Sequence, residues 1–164
     1  MDLRKEVGVP HRGWECIAIE DVKESNGVYR NCEMCGHEKI RFLYYMKHNR
    51  YSKTLKVGCI CARDMIEDYT NIDKWEKELK NRQKRKRNWL KRKWRITLKG
   101  NRSLVIHGII VVVYKKNGFW DYCFKGSSFD NIYGNKKFNN EEEAKLKAFD
   151  ILFPPYIYEN KSIE

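Results

Sequence analysis

Four cysteines in two close pairs carry the most definite chemistry in this sequence. Cys32-Glu-Met-Cys35-Gly36 sets two thiols three positions apart ahead of a glycine. In a tight turn both sulfurs can aim at one ion, and the glycine allows the left-handed backbone that such a turn often needs. The second pair is Cys59-Ile-Cys61. Zinc takes four ligands in a tetrahedron, with sulfur at about 2.3 Å. Cys32, Cys35, Cys59 and Cys61 together are therefore expected to hold one structural Zn²⁺. Four thiolates close the coordination shell and leave no position for a reacting water. His37, two residues past the knuckle, is a rival for one of the four places. Cys16 is another nearby thiol, but Cys16 and Cys123 stand alone among apolar or aromatic neighbours and read as small buried hydrophobes.

The elements around the pairs must bring them together. The run Trp14 to Glu20 reads as a strand, with Trp14, Cys16, Ala18 and Val22 as the alternating set. Strand-like runs cover Ile40–Met46 and Thr54–Val57, separated by a polar loop over residues 48–53. A short helix should follow Gly58-Cys-Ile-Cys-Ala. Residues 29–69 thus resemble the treble-clef zinc finger. That resemblance implies a knuckle, a β-hairpin and a helix whose first turn completes the site, with ligand roles for Cys32 and Cys35. Cys59 and Cys61 depart from the pattern, because the family usually spaces its second pair by two residues. HNH-type nucleases share a similar hairpin and helix, with a general-base histidine where His48-Asn49 stands. Here Lys47 replaces the expected acid, and the following helix carries no histidine. No enzyme is expected, and an HNH-like nuclease is the second alternative.

The charge is concentrated. The 164 residues carry a net +12, and residues 72–102 hold fourteen Lys or Arg against Asp73, Glu76 and Glu78. That balance of +11 leaves only +1 for the rest of the chain. Such a block marks a surface for a polyanion. Residues 71 to about 96 read as a helix, with Ile72, Trp75 and Leu79 at one end and Trp89, Leu90 and Trp94 at the other. Between them, Lys80–Asn88 has no apolar residue. Phosphate contacts are expected from Arg82, Lys84, Arg85, Lys86, Arg87, Lys91, Arg92 and Lys93. Trp89 and Trp94 suit either base stacking or packing at the helix end, and packing is the preferred reading.

After Gly100-Asn101, a β-branched run from Leu104 to Tyr114 reads as a strand, and Asn117-Gly118 signals a hairpin to Phe119–Phe124. A third strand falls within residues 131–138. Asn140 and Glu143 form a capping box that starts a helix with Ala144, Ala148, Phe149 and Leu152 on one stripe, ended by Pro154-Pro155. Trp120, Phe138, Glu142-Glu143-Ala144 and Ala148-Phe149-Asp150 give residues 103–153 a weaker resemblance to an AP2-type DNA-binding domain. The resemblance implies a three-stranded sheet that reads the major groove, with one helix packed behind it. The first strand lacks the arginines such sheets use on bases.

The expected fold class is α+β. Residues 1–70 would form a treble-clef zinc module, 71–102 a long basic connecting helix, and 103–164 a β-β-β-α module with a three-stranded antiparallel sheet and one helix. Hydrophobic residues make up 41% and aromatics 13%, enough for a core, beside 34% charged residues and a mean hydropathy of -0.78. No run is apolar enough to span a membrane and no secretory leader is evident, so a cytoplasmic location with reduced thiols is expected. The expected function is zinc-stabilised binding of nucleic acid, with DNA favoured over RNA. The compact basic design suits an accessory protein of a bacterium, phage or mobile element. The alternative is an interaction protein, of anti-defence type, that captures a nucleic-acid-processing enzyme or a ribonucleoprotein.

Overall fold

The computed structural model describes residues 2–126 and 129–158. Residues 159–164, part of the expected third module, lie outside the described residues. The architecture is mixed α and β, with two antiparallel sheets and four α-helices. It divides into two compact units, residues 1–82 with 155–164, and residues 83–154. This differs from the three-module expectation. The basic helix is shared between the units, and the chain returns to the first unit after Pro154.

In the first unit, β1 (Glu15–Asp21), β2 (Phe42–His48), β3 (Tyr51–Val57) and β9 (Tyr156–Tyr158) form a sheet in the order β3-β2-β1-β9. Helix α1 (Val22–Asn26) starts on Asp21, whose carboxylate accepts the Glu24 N–H, and ends on Gly27 at φ 74°. The β2–β3 turn is Asn49-Arg50 alone, shorter than the loop expected over 48–53. Tyr51 belongs to the strand, paired with His48, and its ring lies 5.4 Å from Trp14. Helix α2 (Cys59–Met65) follows Gly58 and buries Cys61, Ala62 and Met65. Ile19, Tyr44, Met46, Val57, Ala62, Ile72 and Leu79 form the centre of this core.

Helix α3 (Thr70–Trp89) is long and basic, as its composition suggests, but stops seven residues short of the expected end. Residues beyond it turn into β4 (Arg95–Ile96), the edge of the second sheet. That sheet has five strands rather than three, in the order β4-β5-β6-β7-β8. The run Leu104–Tyr114 is not one strand. His107 and Gly108 take positive φ (49° and 77°) and fold it into β5 (Arg102–Ile106) and β6 (Ile109–Lys116). This two-residue turn matches that at Asn117-Gly118, φ 51° and 82°, which leads into β7 (Phe119–Gly126). β8 (Phe129–Tyr133) is the last strand, and Phe138 adds an isolated bridge to Trp120.

Helix α4 (Glu141–Leu152) covers one face of this sheet. Asn140 accepts the Glu143 N–H at 2.9 Å, and Glu143 accepts the Asn139 N–H at 3.2 Å, so the capping pair forms where the sequence places it. Ala144, Ala148 and Phe149 pack against Leu104, Val111, Val113, Tyr122 and Phe124. No helix among the described residues is long and apolar enough to cross a membrane.

Candidate metal centre and the basic segment

The metal-ligating residues come together in the first unit. Cys32 and Cys35 lie in a turn closed by two backbone bonds. The Gly36 N–H donates to the Cys32 carbonyl, and the Cys32 N–H donates to the His37 carbonyl, both at 2.8 Å. Gly36 has φ 73°, where a Cβ would be strained. The helix α2 supplies Cys61. The Sγ atoms of Cys32, Cys35 and Cys61 all lie within 4.8 Å of one another. Sulfurs bound at 2.3 Å around a tetrahedral ion stand about 3.8 Å apart, so the cluster needs only small side-chain adjustments to grip one.

Backbone donors already face these sulfurs. The Gly58 N–H reaches Cys32 Sγ at 3.4 Å. Burial alone would raise the Cys35 thiol, but the nearby His37 backbone N–H and the Cys61 and Cys32 thiols lower it below its usual value. Cys61 is pushed up, first by burial and then by the neighbouring sulfurs. A bound cation would hold all three as thiolates. The donors, their spacing and their N–H partners suit a thiophilic ion such as zinc.

Cys59 does not join them. It is exposed at the first position of α2, outside the cluster. The pair is expected to converge on one ion, but Gly58 caps the helix before both. Residues two apart on a helix are rotated by about 200°, so the two side chains diverge. A cavity of about 580 Å³ opens beside the cluster, lined by all three thiols together with His37, Cys59 and Glu76. Glu76 is committed elsewhere. It accepts from the Tyr44 hydroxyl at 2.8 Å and from Arg63 at 3.2 Å, and it pairs with Lys80.

Sequence reasoning gave the first thirteen residues no role. In the structure the Leu3 N–H donates to the Met34 carbonyl inside the knuckle at 2.8 Å. Arg4 lines the cavity beside the thiols. A short polar stretch carries no periodic signal by which this could be anticipated. His48, weighed as a nuclease base, is buried with its ring 5.2 Å from Trp14 and its Nδ1 accepting the Arg50 N–H at 3.0 Å.

No protein-family model, curated protein or solved structure matches the chain. The chemistry of both regions therefore rests on their own geometry.

The eight expected phosphate contacts separate into different environments. Arg82 is 2% exposed and pairs with Glu24 at 3.1 Å, so it is a core cation of the first unit and is unavailable to phosphate. A buried guanidinium must be paired, and Glu24 supplies that partner. Lys86 is partly buried and bonds Asp150 at 2.9 Å. Lys84, Arg85, Arg87, Lys91, Arg92 and Lys93 are exposed. Among the described residues none of these six has a carboxylate within 4 Å, and the same holds for exposed Arg95 and Lys99. Arg85 lies over the Phe153 ring at 4.8 Å and still reaches solvent. Trp89 is no stacking platform. It is 1% exposed, and its Nε1 donates to the Lys145 carbonyl at 2.7 Å. Trp94 stands edge-on to it at 5.4 Å.

Proposed function

We propose that this protein binds nucleic acid, DNA in preference to RNA, through the exposed cations between Lys84 and Lys99. The observation that carries the reading is that eight exposed Lys or Arg side chains in one stretch have no carboxylate partner among the described residues, whereas Arg82, Lys86, Arg102 and Lys145 nearby are all paired. Unneutralised cations at this density repel one another unless a polyanion or a cloud of counterions faces them. The first unit is proposed to be a treble clef folded around one structural zinc. What supports this is the order of knuckle, β2–β3 hairpin and α2, with three thiols gathered between them. Zinc there would hold a small module folded and take no part in chemistry.

Binding of labelled duplex DNA, single-stranded DNA and RNA across a salt series tests the proposal. The affinity should fall steeply with salt and rank duplex DNA above RNA. Negligible binding to all three at low salt refutes it.

A protein or ribonucleoprotein partner is the second reading. It is favoured by the sheet face opposite α4, where Val105 and Ile110 pair across β5 and β6 and remain exposed. A partner docked there would persist at salt concentrations that remove DNA.

A further inference from the structure

The three gathered thiols supply three of the four positions zinc requires, and we propose that His37 supplies the fourth. This assignment rests on the zinc reading above. A fourth donor must be within reach of all three sulfurs. The cavity lined by Cys32, Cys35 and Cys61 together meets this condition. A second cavity, which holds His11 and Asp64, touches Cys61 alone of the three.

Three side chains on the wall of the first cavity have ligand chemistry. Glu76 is held by Tyr44, Arg63 and Lys80. Cys59 diverges from Cys61 on the same helix, and turning it inward would unwind the first turn of α2. His37 has neither restraint. Its imidazole is exposed and makes no side-chain hydrogen bond among the described residues, so rotation about its side-chain bonds breaks nothing. Its backbone is fixed at the knuckle, with its carbonyl accepting the Cys32 N–H at 2.8 Å. A neutral imidazole nitrogen with three thiolates is a common zinc donor set.

Cobalt(II) reconstitution of the full chain tests this, because the d–d bands of a tetrahedral cobalt ion report its donor set. Wild type should show a three-sulfur, one-nitrogen spectrum, and Cys59→Ser should superimpose on it. His37→Ala keeps the backbone bonds, yet should shift the bands and weaken cobalt and zinc at least about 10-fold, the loss that even an outer-shell partner causes. His37→Cys should restore tight binding with bands moved toward a four-thiolate position. A His37→Ala spectrum identical to wild type, or a change caused by Cys59→Ser instead, overturns the assignment while leaving zinc in place. A wild type that takes up neither metal overturns the zinc reading and this inference together.

Discussion

Replacing Lys91, Arg92 and Lys93 together by glutamine removes three of the eight exposed cations that have no carboxylate partner among the described residues. Each cation that neutralises one phosphate releases counterions and adds about 0.9 to the salt slope on duplex DNA. Eight contacts give a slope of about −7, and five give about −4.5. Between 50 and 200 mM salt the wild type should therefore lose roughly 2 × 10⁴-fold in affinity and the triple variant only about 500-fold. Fluorescence anisotropy on a labelled duplex of about 20 base pairs, repeated at five or more salt concentrations, reads both slopes. The three side chains are exposed, so circular dichroism should be unchanged. Arg82→Gln is the internal control. It lies in the original basic run but is buried against Glu24, and it should leave the slope where it was. A triple variant with the wild-type slope, or an Arg82→Gln slope lowered by a full contact, would refute the reasoning.

Other outcomes follow from single features. Arg82→Ala should destabilise the first unit by about 3 kcal/mol in urea unfolding, because it strips a partner from a carboxylate that is itself partly buried. Chelation, or Cys32→Ser, should lower the melting temperature and increase protease sensitivity of residues 1–82, and added zinc should restore wild type but not the variant. Trp89→Ala should cost about 3–5 kcal/mol in the second unit, since it empties the site beside Phe149 and removes the Nε1 bond to the Lys145 carbonyl. Burial alone would raise Glu76, but bonds from Lys80 and Tyr44, with Arg63 nearby, hold it below its ordinary value. Its stabilisation is therefore complete above the usual glutamate range and disappears as pH falls through the depressed value. Glu76→Gln should flatten the acid limb of the stability curve, and an unchanged limb would show that the carboxylate contributes nothing.

Local signals identified much of this fold. The capping pair at Asn140 and Glu143, the Asn117-Gly118 turn and the Cys32–Gly36 knuckle each depend on contacts a few residues apart, so their residue types alone identify them. His107-Gly108 carried the same turn chemistry, but the surrounding β-branched residues suggested a single continuous strand. The fates of Cys59 and Arg82 depend on tertiary placement. Where Gly58 caps a helix decides whether two cysteines converge. Whether Glu24 lies opposite the helix decides whether an arginine is buried. Neither fact is periodic in sequence, so neither is visible without the fold. The Tyr44–Glu76–Arg63 cluster joins residues up to 32 positions apart and left no pattern either.

Strand β9 has a consequence for how the two units share their stability. It closes on β1 through Ala18–Tyr158 and Glu20–Tyr156, so the first sheet is complete only after the chain has passed through the 72 residues of the second unit. Within that unit, Arg85 lies on Phe153 and Lys86 on Asp150, which brings its first and last residues side by side. Folding of the second unit therefore turns a long loop into a short one. By loop-closure entropy, shortening about 72 residues to a handful is worth roughly 2–3 kcal/mol to the docking of β9. The two units are coupled through the connectivity of the backbone itself, and a mutation that melts the second should loosen the last strand of the first without touching it.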